Sequence, residues 1–416
     1  MALRTDKRDG HDFLQVASEK KAAAAIVSQP DPDLPLPQIV VEDPLQALQA
    51  LGAAWRQQWG GRVIGVTGSC GKTSTKEMLG LLLGREDTLI TPRNLNNFIG
   101  VPLSELLLRP HHKRAVLEAG ISEGGEMELL ASLLDPDVSV VTTIGPAHLE
   151  LLGSIEGVAQ EKSVLPRHAR EKTFLGPACA EYEAFTGAEF AAPHWVLPEA
   201  RTADRPERGD LWTYRVQMDE SGVSQVHLCN GNKITFPAPD ATAGMIENTC
   251  LALMVALSEG VPQEILLERL AAWHPATQRG EVMEVGGRRI YADHYNANPA
   301  SFADAANYFH RRFSEGPRVW VIGGMEELGP ESAAWHRKLA AGIPVGEGDR
   351  VFLVGGMTSE MLSTLRNSPA GAEAVTFVAE VEEVLEEIGE TEGVIFLKGS
   401  RKYRLEKILD FLRNRG

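Results

Sequence analysis

The chain has 416 residues, of which 43% are hydrophobic and 24% are charged. This length suits roughly two to four domains of about 100–200 residues, and the composition excludes a disordered, collagenous or coiled-coil protein. The formal charge is −16, from 41 Lys and Arg against 57 Asp and Glu. That sign argues against nucleic acid as a partner but not against a nucleotide, which needs only a few local donors.

The cysteines and the apolar runs exclude several further classes. Four cysteines lie far apart without a C-x-x-C pair, which argues against a zinc site or a disulfide framework. The amino terminus is charged and has no apolar core of a signal peptide, and no apolar run approaches the length of about 18 residues needed for a membrane span. We therefore expect a cytoplasmic protein.

The first 60 residues predict a small mixed unit, with strands at 22–27 and 38–41 and a helix over 45–55. From residue 62 the pattern changes to short apolar runs that alternate with amphipathic stretches. Such alternation is typical of βαβ units and a parallel sheet. The predicted strands of this sheet are residues 63–66, 88–91, 115–118 and 138–142.

Residues 190–240 interrupt this pattern with Pro, Gly and polar alternation, which favours antiparallel strands, and a helix follows over 249–257. A second open α/β sheet is predicted from the strands at 288–293, 318–322, 350–354 and 394–397. The fold class is therefore α/β, and the predicted domains are residues 1–60, 61–275 and 276–416.

The strongest local signal is a phosphate-binding loop. A β-branched strand at 63–66 leads into Gly68-Ser69-Cys70-Gly71-Lys72-Thr73-Ser74, and an apolar helix pattern follows. Glycines let several backbone N–H groups and a helix N-terminus face a phosphate chain. Lys72 would reach the β- and γ-phosphates, and the Thr73 hydroxyl would bind Mg²⁺. The spacing is shorter than the strict P-loop pattern, so the alternative is a chance glycine-rich turn.

Four segments give the chain a resemblance to the Mur ligases that extends nearly end to end. They are Asn94-Leu95-Asn96-Asn97, Ile144-Gly145-Pro146-Ala147-His148, Asp293-His294-Tyr295-Asn296-Ala297-Asn298-Pro299 and Lys398-Gly399-Ser400-Arg401. The resemblance implies three domains: one for a UDP-sugar, a central P-loop ATPase domain with a parallel sheet, and a mobile Rossmann-like carboxy-terminal domain for the incoming amino acid. The segment at 8–13 implies a shortened amino-terminal domain, since about thirty residues normally precede it in the family.

The resemblance also implies an activity. The first, third and fourth segments favour the branch that joins D-alanyl-D-alanine to UDP-N-acetylmuramoyl-tripeptide through an acyl phosphate, with ATP and Mg²⁺, in peptidoglycan synthesis. We expect a monomer. One alternative is a sister ligase that adds a single amino acid, although the Asp-Asn-Pro-Arg motif diagnostic of the ligase that adds the third residue does not occur in this sequence. The other is a non-catalytic homologue that binds nucleotide.

Roles for individual residues follow from the same resemblance. Glu118, at a predicted strand end, would hold Mg²⁺ across from Thr73, although acids at strand ends are often only turn residues. His148 and Lys162 are the candidates for a second metal. Because an ammonium group repels a metal, Lys162 would act as its carbamate; the alternative is a solvated helix lysine.

Four further residues would contact the nucleotide. Arg279 would meet the phosphates once the domains close, and Asp293 would hold the ribose or the water and metal network. Asn248 would contact the adenine, with a helix cap as the alternative. Asn296 would lie at the nucleotide or the domain junction, with a simple turn as the alternative.

Overall fold

The structure, a computed structural model, describes residues 1–5 and 8–415. The first part of the chain forms two small two-stranded sheets and two helices. The strands predicted at 22–27 and 38–41 are present but shorter, and they pair in parallel. The elements are β1 Arg4–Thr5, β2 Arg8–Asp9, α1 Leu14–Glu19, β3 Ala25–Val27, β4 Gln38–Val40 and α2 Pro44–Trp59.

Helix α2 connects this region to the rest of the molecule. It begins where the Asp43 side chain accepts a hydrogen bond from Leu45 N (2.7 Å), and it ends at Gly60, whose φ is +67°. Its Arg56 is buried and lies 3.3 Å from the Asp137 carboxylate of the central sheet region. The predicted helix is therefore confirmed and extends one turn further.

The central region contains nine strands and nine helices in the order expected for repeated βα units. They are β5 Arg62–Thr67, α3 Lys72–Leu83, β6 Thr88–Ile90, α4 Gly100–Glu105, β7 Arg114–Glu118, α5 Glu126–Leu134, β8 Val138–Val141, α6 Leu149–Leu152, α7 Ile155–Lys162, α8 Val164–His168, β9 Lys172–Leu175, α9 Glu183–Thr186, β10 Pro193–Pro198, β11 Asp210–Met218, β12 Ser224–Asn230, β13 Asn232–Pro237, α10 Ala243–Ser258 and α11 Gln263–Ala271.

The nine strands form one sheet in the order β13-β12-β11-β10-β9-β8-β5-β7-β6. Strands β5 to β9 are parallel, as predicted. The expectation of antiparallel strands over 190–240 is wrong for its first half, because β10 pairs in parallel with both β9 and β11. Only β11–β12 and β12–β13 are antiparallel. The chain leaves β5 toward β6 on one side and later returns to β8 on the other, so the end of β5 is a switch point where α/β sheets bind ligands.

The carboxy-terminal region forms the second sheet, in the order β14-β15-β19-β16-β17-β18, and only β14 is antiparallel. The four predicted strands agree with β15, β16, β17 and β19 to within one residue, whereas β14 and β18 were not predicted. The elements are β14 Glu281–Val285, β15 Arg288–Asp293, α12 Pro299–Arg312, β16 Arg318–Gly323, α13 Ser332–Gly342, β17 Arg350–Val354, α14 Leu362–Arg366, β18 Val375–Val378, α15 Leu385–Glu390, β19 Val394–Lys398 and α16 Glu406–Arg415. The domain limits at residues 60 and 275 stay predictions.

Helix α12 joins the two sheet units. Its Asp304 carboxylate accepts hydrogen bonds from Ala243 N (3.1 Å) and Gly244 N (3.0 Å) at the start of α10. One and two turns later, Tyr308 and Arg312 donate to Asp240. One face of α12 therefore sits on the start of α10. Within the part of the chain that the structure describes, no helix combines the length and the apolar character that crossing a bilayer requires.

A buried ion pair stabilises the second sheet and gives a stability prediction. Asp349 accepts from Arg318 (2.7 Å), from Trp320 Nε1 (3.0 Å) and from Gly346 N (2.8 Å), and both charged side chains are almost fully buried. Asp349→Ala leaves a buried guanidinium unpaired, so we expect a loss of about 3–5 kcal/mol in the free energy of unfolding. Urea unfolding followed by circular dichroism measures it.

Asp410→Ala is the matched control, because Asp410 pairs with Arg413 in an exposed position. Exposed pairs contribute at most about 1 kcal/mol. Equal losses in the two variants would contradict the role assigned to the buried pair.

Candidate functional site

The phosphate loop is shaped by two glycines and fixed by neighbouring elements. Gly68 has a φ of +151°, and a Cβ there would lie 1.9 Å from Thr142 Oγ1; Gly71 has a φ of +83°, and a Cβ there would lie 2.7 Å from Asn248 Nδ2. Neither position has room for a side chain. Thr142 also donates to the Cys70 carbonyl at 2.5 Å. The close approach of strand β8 and helix α10 therefore requires glycine at both points.

Further hydrogen bonds connect this loop to the segment that follows β8. Ser69 N donates to the Thr143 carbonyl (2.8 Å), while the Ser69 hydroxyl donates to the Gly145 carbonyl and accepts from Gly145 N. Helix α3 begins directly after the loop at Lys72, so Thr73 and Ser74 lie in its first turn. The geometry is that of a preformed anion site at a helix N-terminus.

Lys72 and Glu118 supply the opposite charges of the site. Lys72 Nζ donates to the Gly68 carbonyl (2.6 Å), and burial lowers the pKa of Lys72 while the nearby Glu118 carboxylate opposes that shift. Glu118 ends β7, as predicted, and is 1% exposed. Its carboxylate lies 3.4 Å from Lys76 Nζ and accepts from Asn96 Nδ2 (3.3 Å). The oxygen nearest to Lys76 is Oε1, which accepts no hydrogen bond from the described residues.

One cleft of about 740 Å³ gathers most of the predicted site residues. It is lined from the central region by the phosphate loop, Glu118, His148 and Asn248, and from the carboxy-terminal region by residues that include Lys398. The predicted site residues among its lining are Ser69, Gly71, Lys72, Thr73, Ser74, Glu118, His148, Asn248, Arg279, Asp293 and Asn296. Gly68 and Lys162 do not line it.

Lys162 lies behind the loop and not in solvent. It ends α7, is 0% exposed, and its Nζ has no hydrogen-bond partner in the described parts of the chain. Burial is the main cause that lowers its pKa well below the usual value, and the positive charge of Lys72 adds to the effect. The alternative of a solvated helix lysine is therefore wrong, and the surroundings of the side chain favour its neutral form.

His148 contacts the carboxy-terminal region instead of standing alone. It has a φ of +55°, and its Nδ1 lies 2.5 Å from the Glu327 carboxylate. That contact holds the pKa of Glu327 below its usual value. Glu327 was not among the predicted site residues.

The carboxy-terminal side of the cleft places two predicted residues beside aromatic and charged partners. Asp293 accepts from Lys398 Nζ at 2.6 Å, the two residues being neighbours on β15 and β19. Burial raises the pKa of Asp293, and Lys398 opposes that shift. The Arg279 guanidinium lies 4.1 Å from the centre of the Tyr295 ring, which fixes its direction.

The two asparagines of the turn before α12 differ in their hydrogen-bond partners. Asn296 lines the cleft and accepts from Ala297 N (2.9 Å), which stabilises the turn. Asn298 caps α12 by accepting from Ser301 N (2.9 Å), and it also donates to the Ser69 carbonyl of the phosphate loop (3.2 Å). Asn298 thus links the two units, a role that its position before a proline does not reveal.

The structure locates Asn248 and Arg279 relative to the phosphate loop. Thr242 caps α10, and Asn248 lies inside that helix against Gly71, so the helix-cap alternative for Asn248 is wrong. The expectation that Arg279 meets the phosphates once the domains close stays a prediction. In the structure Arg279 lines the same cleft as Lys72, and Asn298 donates directly to the loop.

The donor set of the cleft suits Mg²⁺ bound together with a phosphate chain. Among the described residues no three His, Cys, Asp or Glu side chains cluster as a self-sufficient metal site. The Thr73 hydroxyl, the Glu118 carboxylate and the His148 imidazole line the cleft instead. Mg²⁺ is typically held by one or two carboxylates together with substrate phosphates, so these residues fit that ion.

Comparison with known proteins matches both sheet units. Residues 66–256 match the Mur ligase middle domain, and residues 278–401 match the Mur ligase glutamate ligase domain. The chain is 31% identical to UDP-N-acetylmuramoyl-tripeptide–D-alanyl-D-alanine ligase of Bacillus subtilis, over 98% of this chain and 88% of that protein. It is 30% identical to the ligase of the same name from Escherichia coli, over 100% of this chain and 91% of that protein.

A solved structure agrees with these matches. A crystal structure of MurF from Acinetobacter baumannii superimposes with a TM-score of 0.82 at 28% identity, covering 99% of this chain and 90% of that one.

Lys162 generates a prediction about covalent modification. The neutral form of the Lys162 amine adds CO₂ and releases one proton to give a carbamate. The carbamate offers a metal an anionic oxygen, whereas the ammonium form would repel it. We predict a carbamate on Lys162 when the protein is equilibrated with ¹³C-labelled bicarbonate, seen as a carbamate carbon in the ¹³C NMR spectrum and lost in Lys162→Met.

Lys162→Ala should lose activity and regain part of it with added short carboxylates.

Lys76 provides an internal comparison, because it is also almost fully buried but is paired with Glu77, Glu118 and the Thr91 carbonyl. It should stay unmodified. The same carbamate signal in wild type and in Lys162→Met would contradict the prediction.

Proposed function

The chain belongs to the Mur ligase family, and on that basis we propose that it joins D-alanyl-D-alanine to UDP-N-acetylmuramoyl-tripeptide with ATP, forming ADP and phosphate. The observation that carries this proposal is the shared cleft, in which the phosphate loop faces Arg279 and Asp293 of the carboxy-terminal unit. The B. subtilis and E. coli relatives carry the name of this reaction over nearly the full length of the chain.

The chemistry needs alignment and charge neutralisation more than covalent catalysis. The acceptor carboxylate takes the γ-phosphoryl group of ATP and becomes an acyl phosphate. The amine of D-alanyl-D-alanine then attacks the carbonyl carbon, the C–O bond to phosphate breaks, and the amine loses a proton as the amide forms. Mg²⁺, when bound, neutralises the phosphate charge.

Residues of the central unit stabilise the first of these steps. The N–H groups that follow Ser69 and those of the first turn of α3 would face the phosphates, and Lys72 would place a cation at the end of the same loop. The Thr73 hydroxyl and the Glu118 carboxylate are the proposed ligands of one Mg²⁺. His148, together with Lys162 as its carbamate, is proposed for a second.

Residues of the carboxy-terminal unit close the opposite side. Arg279, held against Tyr295, is proposed to bind the phosphates, and Asp293, held by Lys398, to bind the ribose or the water and metal network. Asn296 is proposed to lie at the nucleotide beside the junction of the units. Placing these groups over the loop keeps water away from the acyl phosphate, which would otherwise hydrolyse.

Asn248 is proposed to contact the adenine. It lies in α10 next to Gly71, and its neighbour Glu247 accepts from the Tyr214 hydroxyl at 2.9 Å on the same wall of the cleft.

A monomer is the proposed active form, because one chain supplies every residue of this cleft. A cytoplasmic location is proposed as well.

The test is phosphate release by the purified protein. We expect release that requires ATP, UDP-N-acetylmuramoyl-tripeptide and D-alanyl-D-alanine together, and a product of the corresponding mass. Release with a single amino acid in place of the dipeptide would favour a sister ligase. No release with any amino-acid acceptor, despite nucleotide binding, would favour a non-catalytic homologue.

Lys72→Ala tests the assignment of the loop. Removing a fixed charge at the transferred phosphoryl group typically costs about 10²–10³ in kcat, and we expect a loss of that order with an unchanged fold by circular dichroism. Lys233→Ala is the matched control, because Lys233 is exposed on β13 outside the cleft. A Lys72→Ala variant with most of its activity would overturn the assignment.

A further inference from the structure

Two loops from different sheet units are interlocked beside the cleft. His148, in the loop after β8, places Nδ1 2.5 Å from the carboxylate of Glu327, which lies in the loop after β16. The backbones of the same loops also join, since Glu150 N donates to the Glu327 carbonyl at 3.2 Å. Side chain and main chain therefore fix the same junction independently.

The conformation at this junction is unusual on both sides. His148 has a φ of +55° and Glu327 a φ of +63°, although neither is glycine. Gly329 follows with a φ of +62°, and a Cβ there would lie 3.0 Å from the Glu150 Cα. Non-glycine residues keep such conformations only where the surroundings determine them, and they concentrate at functional sites.

The loop that carries Glu327 is itself firmly supported. The neighbouring Glu326 accepts from the Tyr403 hydroxyl and from Lys402 Nζ (3.0 Å), and its N–H donates to the Ser400 hydroxyl (3.1 Å). Met325 N donates to the buried His336 ring at 3.0 Å. The Glu327 side chain is half exposed, but the two residues before it are held at the end of the carboxy-terminal sheet.

A carboxylate on one ring nitrogen of a histidine sets which nitrogen can bind a metal. Metal-binding histidines usually donate their other N–H to a carboxylate or carbonyl, which fixes the tautomer and the ring direction. With Nδ1 lying 2.5 Å from the Glu327 carboxylate, Nε2 is the nitrogen that remains for the cleft, and His148 lines that cleft.

We propose that Glu327 is a positioning residue that holds the His148 imidazole for the second Mg²⁺, so that this metal position is complete only while the two units are docked. The inference rests on the function proposed above, in which His148 binds that metal. It adds that the carboxy-terminal unit, besides closing over the nucleotide, sets the affinity of a metal position whose ligands belong to the central unit.

The test measures Mn²⁺ binding to the full chain by electron paramagnetic resonance, in the presence of a non-hydrolysable ATP analogue. We expect two Mn²⁺ positions in wild type. Glu327→Ala should weaken the second by about 10–100-fold, the usual effect of removing such a partner, and leave the first, at Thr73 and Glu118, unchanged. Glu327→Gln, which keeps the shape but loses the charge, should give a smaller loss and serves if the alanine variant does not fold.

Glu331→Gln is the matched control, because Glu331 is an exposed carboxylate four residues further along the same loop; it should bind both ions as wild type does. In a double-mutant cycle, Glu327→Ala should cause no further loss once His148→Ala is present. Additive losses, equal weakening of both positions, or no weakening would each overturn the proposal.

No acceptor peptide or dipeptide enters these measurements. The effect of Glu327 on metal binding can therefore be measured even in a chain that fails the ligase assay. Failure of the proposed activity and failure of the proposed role of Glu327 are thus distinguishable.

Discussion

The site depends on a phosphate loop whose conformation is fixed by contacts with three other segments of the chain. The segment after β8 holds it through Thr142, Thr143 and Gly145, helix α10 presses Asn248 against Gly71, and Asn298 reaches it from the carboxy-terminal unit. Each of these contacts either forms a hydrogen bond with a backbone group of the loop or fills the space next to one of its glycines. The N–H groups are therefore already directed before a phosphate arrives, and binding costs little reorganisation.

The second sheet unit has a structural role as well as a catalytic one. Helix α12 contacts the start of α10 through Asp304, and its cap Asn298 contacts the loop, so one helix touches both walls of the nucleotide cleft. The contact of His148 with Glu327 also joins the two units. Movement of the carboxy-terminal unit would therefore change the phosphate loop, the start of α10 and the second metal position together.

The elements that could be predicted from sequence are those whose signal is local. Parallel strands buried on both faces give short β-branched runs, so the strand Arg350–Val354 was predicted at its exact limits and the others to within a few residues. Strand β10 was assigned to the wrong kind of pairing, because Pro and Gly mark strand ends but do not say which neighbour a strand joins. The loop residues were found because glycine spacing and Gly-Lys-Thr describe the geometry itself.

The rest of the site depends on contacts between distant segments. The turn that holds Lys162 has an ordinary polar sequence, and only the packing of α7 against the sheet shows that its amine is buried and unpaired. Glu327 and Asp304 gain their importance from partners roughly 180 and 60 residues away, for which no periodicity gives a signal. The resemblance to the Mur ligases supplied Asn248, Arg279 and Asp293, which composition and spacing alone would have left as a cap, a surface cation and a strand end.

The most direct test is a crystal structure of the full chain with Mg²⁺ and a non-hydrolysable ATP analogue. The account predicts a triphosphate that accepts hydrogen bonds from the backbone N–H groups of residues 70–74, with Arg279 reaching the same nucleotide and the Asn298 bond to Ser69 intact. A nucleotide held by the central unit alone, with Arg279 out of reach and that bond broken, would contradict the claim that both units form one site.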